Sequence, residues 1–202
     1  MKHSRTVLFI LLAAVGLQAC RHAANTDSTD NNDTSTDTAI SNPAAPPDTT
    51  GPKMNLVVDQ EDSLFLMKAA ADNLAEIELG NLAIKNAKGK RVKNFGWLMA
   101  KDHGKANEKL MAIAAEKKLT LPANADSTQQ QIITRLGRKQ GGDFDRAYIS
   151  AMMDDHNRDV KEFTDAATKT QDPDIKIYAK KQLPVVQKHL DAINAIHDSM
   201  SQ

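Results

Sequence analysis

Aromatic residues are scarce. Phe, Trp and Tyr together make up 4% of the 202 residues, too few for the stacking platforms that hold bases or sugars. Cysteine occurs once, which excludes an intrachain disulfide and any cysteine cage for zinc. Charge of one sign is also missing: 26 basic residues face 26 acidic ones. A chain without a basic excess has little with which to displace counterions, so no nucleic-acid partner is expected. Strand-type alternation of Val, Ile and Tyr is absent from 59–198, which leaves an all-α fold. What is there is 41% hydrophobic residues, lean but enough for a packed core.

These averages cover three unlike segments. Lys2 and Arg5 are followed by an apolar run, Thr6 to Gly16, too short to span a bilayer and right for the core of a signal peptide. Leu17-Gln18-Ala19-Cys20 then resembles the bacterial lipobox. It implies cleavage after residue 19 and lipidation of Cys20, so the membrane is reached through lipid. Arg21 stands where inner-membrane retention uses Asp, which points to the outer membrane. Residues 20–58 are the lipidated Cys and a tether. From Asn25 to Thr50 the tether is Ser, Thr, Asp and Asn with three prolines, too polar to offset its chain entropy by burial, and it is expected to be disordered. Removing 1–19 takes two basic residues, so 24 basic face 26 acidic and the mature net charge is −2.

Residues 59–198 read as one four-helix bundle. The first helix is expected over Asp59–Ala87, with Asp59 as N-cap and Gly89 as a left-handed stop. The second runs over Lys90–Lys118. A short extra helix over Thr128–Leu136 follows, with Ser127 and Gln130 as a capping box. Asp143 caps the third long helix, which ends near Thr170. Asp172-Pro173 starts the fourth, which ends near Asp198 and contains Pro184, a residue expected to bend it. The apolar spacing steps 4-3-4-3 in the second helix (Val92, Gly96, Met99, His103, Ala106, Leu110, Ile113) and in the fourth (Ile175, Ala179, Gln182, Val186, His189, Ile193, Ile196). Ile149, Met152, His156, Val160, Phe163 and Ala167 form the third stripe. Such spacing belongs to near-parallel helices packed at shallow angles. Trp97 is one residue off its stripe and reads as packing.

Each stripe carries one ionisable residue: Glu78, His103, His156 and His189. In the first helix Glu78 lies near the direction of Leu64, Met67, Ala71, Leu74 and Leu82, which leaves Glu76 on the opposite face as a surface residue. All four fall near mid-helix, so one buried layer is able to unite them. A buried Glu must be neutralised, paired or bound to a cation. Three imidazoles and a carboxylate suit zinc, copper or iron. A buried polar network that only fixes packing satisfies the same pattern. Met99 to His103 and Met152 to His156 both read Met-x-x-Asp-His. That places Met99 and Met152 on the histidine face, as core filler or copper ligands, and Asp102 and Asp155 beside the rings as orienting groups.

A family resemblance becomes specific at Glu76-Ile77-Glu78-Leu79-Gly80, Val92-Lys93-Asn94-Phe95, Met99 to His103, Leu121-Pro122, Phe144-Asp145-Arg146-Ala147-Tyr148, Asp155-His156, Leu183-Pro184 and His189-Leu190. Taken together these motifs resemble the bacterial family called domain of unknown function 4142, often labelled predicted outer membrane protein. The resemblance covers about Gln60 to Ile196. It implies a ferritin-like four-helix bundle and an envelope address, and it implies no reaction. Di-iron bundles carry Glu-x-x-His on two helices. Here the residues three before the histidines are Ala100, Met153 and Val186, so ferroxidase chemistry is not expected. There is no phosphate loop, nucleophile elbow or His-Glu-x-x-His, and the chain reads as a non-enzyme. Three classes stay open: a lipid-anchored metal-binding module, an envelope protein whose charged helices meet a protein partner, and a metal-dependent redox enzyme.

Overall fold

The structure, a computed structural model, describes residues 58–200. Cys20, the signal segment and nearly all of the tether lie outside the described residues. Five helices follow in order: α1 Gln60–Asn86, α2 Lys90–Glu116, α3 Ser127–Gly137, α4 Gly141–Lys169 and α5 Pro173–Met200. No strand occurs among the described residues; Ala87 and Gly141 share one isolated bridge. None of the described helices is long and apolar enough to cross a membrane.

The termini follow local chemistry, with shifts of a few residues. Asp59 caps α1 by accepting from the Asp62 N–H at 2.7 Å. For α3 the cap is Asp126, which accepts from the Gln129 N–H at 2.8 Å, rather than Ser127; both side chains suit the position, and the aspartate comes first in the chain. Helix α4 begins at Gly141, so Asp143 sits inside its first turn and favours the positive end of the dipole there. Gly89 is extended at φ −73° and serves as the N-cap of α2. Among the described residues the left-handed ones are Lys118 and Gly141, and Lys118 closes α2 as the Leu119 N–H reaches back to the Ala114 carbonyl at 2.9 Å. Helix α5 runs continuously through Pro184.

Two antiparallel hairpins, α1–α2 and α4–α5, make the bundle, with α1 against α4 and α2 against α5. At one end Lys117, just past α2, pairs with Asp172 at 2.6 Å, and the Thr170 hydroxyl donates to Asp62. At the other end the Asp145 carboxylate accepts from the Lys88 and Gly89 N–H groups at 3.0 and 2.8 Å. The chain therefore leaves α2 at the first end and enters α4 at the second. The connection 117–140 crosses the length of the bundle, carrying α3 against α1 and α4. One long crossover between two hairpins is the ferritin-like arrangement.

Packing is closest between α1 and α2. A Cβ on Gly80 would lie 2.5 Å from the Gly96 carbonyl oxygen, and one on Gly96 would lie 2.6 Å from the Ala83 Cβ. Only glycine lets these two backbones meet. Two apolar clusters fill the interior. One gathers Leu79, Ala83, Phe95, Met99, Phe144, Tyr148, Met152 and Ile193. The other gathers Leu66, Ala70, Leu110, Phe163, Ile175, Ala179 and Val186. Each fully buried Leu or Ile contributes roughly 1.5–3 kcal/mol.

Candidate functional site

Between the two clusters lies a polar layer. Helix α2 supplies His103, α4 supplies His156 and α5 supplies His189, and all three rings are buried. Their centroids stand 5.2, 5.5 and 5.9 Å apart. Phe95 closes the layer on the Met99 side, edge-on to His156 and His189 at 6.3 and 6.4 Å. The three stripes place these rings as their spacing requires, because His103, His156 and His189 each continue a run of buried residues on one helix face.

The first helix behaves differently. Its carboxylate in the layer is Glu76, 1% exposed, while Glu78 is exposed. The stripe through Leu64, Met67 and Glu78 is corrected by this finding: Leu64 and Met67 are 57% and 41% exposed. Thirteen of 27 residues in α1 are buried against eight of 27 in α2, because α2, α3 and α4 all cover α1. Half a circumference is then inside, and a single narrow stripe misplaces it. The small residues Gly80 and Ala83 mark the face in closest contact with α2, since small side chains are what a close helix approach demands.

Hydrogen-bond partners fix the ring protons of His156 and His189, and that of His103 follows the proton on Glu76. His156 Nδ1 lies 3.0 Å from the Met152 carbonyl. A carbonyl only accepts, so Nδ1 carries the proton and Nε2 presents a lone pair. That Nε2 is buried without a hydrogen-bond partner and faces Glu76 Oε1 at 3.4 Å, itself buried and unpartnered. His189 Nε2 donates to Asp102 at 3.2 Å, which leaves Nδ1 as the lone-pair nitrogen. His103 Nδ1 meets two oxygens, Glu76 Oε2 at 2.6 Å and Asn73 Oδ1 at 3.0 Å. When Nδ1 donates to both, the His103 Nε2 lone pair faces His189 Nδ1, 3.3 Å away. Two lone pairs at that distance require a cation or a proton between them. Two nitrogens bound to one tetrahedral ion at about 2.0–2.1 Å are about 3.3–3.4 Å apart.

Burial sets the charge states. Desolvation drives His103 and His189 down to about 4 from the ordinary 6.5, and drives His156 well below it, helped by the other two imidazoles. All three rings are therefore neutral at neutral pH, the state in which imidazole ligates a metal. Desolvation, with the nearby Asp155 and Asp72 charges, lifts the Glu76 carboxyl well above its usual range. Without a cation, Glu76 keeps its proton in this layer.

The polar layer extends beyond these four. Three groups of side chains bring their donor atoms within 4.8 Å of one another: His103, His156 and His189; Glu76, His156 and Asp159; Asp72, Asp159 and Glu162. The residues expected around the histidines divide. Asp102 orients His189, the ring on the facing helix, rather than its neighbour His103. Asp155 touches no histidine; its Oδ1 accepts from Arg158 and from Gln129 at 3.5 Å. Met99 and Met152 pack in the apolar cluster, and Met152 serves the site through its backbone carbonyl. Trp97 is exposed beneath the Lys101 ammonium, 4.7 Å from its ring centre, and is no part of the core. Sequence reasoning missed Asp72, Asn73, Glu76, Gln129 and Asp159. The available signal was acidic residues at helical spacing, Asp72 with Glu76 and Asp155 with Asp159 and Glu162.

Neither a curated protein nor a solved structure matches the chain. The family described as "Domain of unknown function (DUF4142)" matches residues 47–196, a span that takes in the bundle through α5 to Ile196 and all the residues of the polar layer. The chain belongs to the DUF4142 family.

Proposed function

We propose that this chain is an envelope lipoprotein whose bundle binds one divalent transition-metal ion through His103, His156, His189 and Glu76. The observation that carries the reading is the convergence of three neutral imidazoles, with the buried Glu76 Oε1 facing the orphaned His156 Nε2 at 3.4 Å. Nitrogen ligands with one carboxylate suit zinc, copper or iron. The groups behind the rings are the usual orienters of metal-binding histidines, a carboxylate and a backbone carbonyl. Binding moves two protons: Glu76 passes its own to His103 Nδ1, and the proton on His103 Nε2 leaves to solvent as the ion takes its place. The envelope address rests on the sequence around Cys20.

The test uses the full chain, purified in mild detergent. About one equivalent of zinc, copper or iron is expected in the wild type, and at least tenfold less in His103→Ala and His189→Ala. Cys20→Ala is expected to shift the protein from the membrane fraction to the soluble one. Metal-free wild type, even after incubation with each ion, contradicts the metal reading. A second reading, an envelope protein with a structural polar network, draws on the 2.6 Å contact between Glu76 and His103. A neutral Glu76 donating there and a His103–His189 hydrogen bond close that network without an ion.

A further inference from the structure

The three donor groups overlap. His156 belongs to the first and second, and Asp159 to the second and third. They form a continuous series, each step under 4.8 Å, from the three rings to Glu162 at the surface between α1 and α4. The last group already holds a cation of the protein's own. The Lys68 ammonium sits 2.6 Å from Asp72 and 3.0 Å from Glu162. Burial alone would lower the Lys68 pKa, but Asp72 and Glu162 outweigh it and hold the ammonium above its usual range. Lys68 is half-exposed, whereas Asp72 and Asp159 are buried. Along the series the carboxyls outnumber the positive side chains. Asp72, Glu76, Asp155 and Asp159 are all buried, and only Lys68 and Arg158 answer them, both from the rim. Two buried oxygens in this stretch, Glu76 Oε1 and Asp155 Oδ2, have no partner. Gln129 of the crossover helix lies over Asp72 at 3.1 Å and Asp155 at 3.5 Å, closing the side that faces α3.

We propose that Asp72, Asp159 and Glu162 form an outer cation station, occupied by the Lys68 ammonium until a divalent ion displaces it and passes inward by Asp159 and Glu76 to the histidines. This rests on the metal reading of the inner layer. Oxygen donors at the entrance suit a hydrated ion, which exchanges waters for carboxylates before meeting nitrogen ligands. A lysine in that position excludes monovalent ions by charge and yields to a doubly charged one.

Stopped-flow absorbance with Co²⁺ and the full chain tests it, since cobalt bound by three imidazoles in a four-coordinate site absorbs in the visible. Final amplitude reads the inner site, and the rate reads the route. Glu162→Gln, a half-exposed position that folding tolerates, is expected to slow loading about tenfold at unchanged amplitude. Lys68→Met is expected to accelerate it severalfold. Wild-type amplitude with equal rates in all three proteins overturns the station and leaves the inner site standing. No visible band in the wild type overturns both. If Lys68→Met unfolds, judged by circular dichroism, Glu162→Gln decides alone.

Discussion

Above and below the histidines the bundle is dry; at their level it is wet with functional groups. The two apolar clusters are built from Leu, Ile, Ala, Phe and Met whose burial is favourable by itself. The layer between them holds Asp72, Asn73, Glu76, His103, Asp155, His156, Asp159 and His189, every one buried. There burial pushes Glu76, Asp155, Asp159 and the three histidines away from their charged forms, so the layer is carried by the clusters rather than helping them. A chain that wanted only a stable bundle gains from apolar residues at these positions. The proposed metal site accounts for eight polar groups kept in the interior.

The contrast is most exposed in the clusters. Leu110→Ala and Ile193→Ala, both at fully buried positions, are expected to cost about 2–5 kcal/mol each by urea denaturation. Glu76→Leu, in metal-free protein, is expected to cost far less or to stabilise, and a loss as large as that of Leu110→Ala would erase the distinction. Next comes the α1–α2 contact that sets Glu76 beside His103. Gly80→Ala and Gly96→Ala drive a methyl into the facing backbone and into Ala83, at about 1–3 kcal/mol. Both are also expected to weaken metal loading, because the forced separation of the helices lies within about two turns of the site.

The pH response separates the regions again. The bundle keeps protons on Glu76 and Asp159 where the unfolded chain has released them, so these groups cost stability as pH rises from about 4.5 toward their raised values. His103 and His189 act in the opposite sense. Between about 4 and the ordinary 6.5 the unfolded chain binds protons that the folded rings refuse, so stability falls as pH drops through that window. The two slopes offset each other below about pH 6.5, and the carboxyls act alone above it. Metal-free protein in EDTA is therefore expected to lose stability as pH rises above about 6.5. Glu76→Gln is expected to flatten that loss; an unchanged profile would place the titrating group elsewhere. The smallest effect belongs to the surface. Glu78→Gln is expected to change stability by less than about 0.5 kcal/mol and leave metal content unaltered, whereas Glu76→Gln removes the metal.

Helices α2, α4 and α5 were legible in the sequence because each turns one face inward. All seven stripe residues of α5 are buried, as are those of α2 from Val92 to Leu110. The three histidines follow from that spacing alone. The α1 partner was not legible, since the crossover helix α3 covers a further side of α1 and hides the difference between stripe and surface. Size carried the missing information: Gly80 and Ala83 face α2, and the large Leu64 and Met67 face outward. Asp159 and Asp72 escaped for a related reason. Acidic residues read as surface until the fold shows carboxyls from two helices meeting around one lysine.

The most direct measurement is an anomalous difference map from crystals of the protein grown with Zn²⁺ and recorded at the zinc edge. The account predicts one dominant peak about 2.0–2.1 Å from His103 Nε2, His156 Nε2 and His189 Nδ1, with Glu76 as the oxygen ligand. A map whose only peaks lie on the surface, with the His103–His189 contact intact at 3.3 Å, would contradict it.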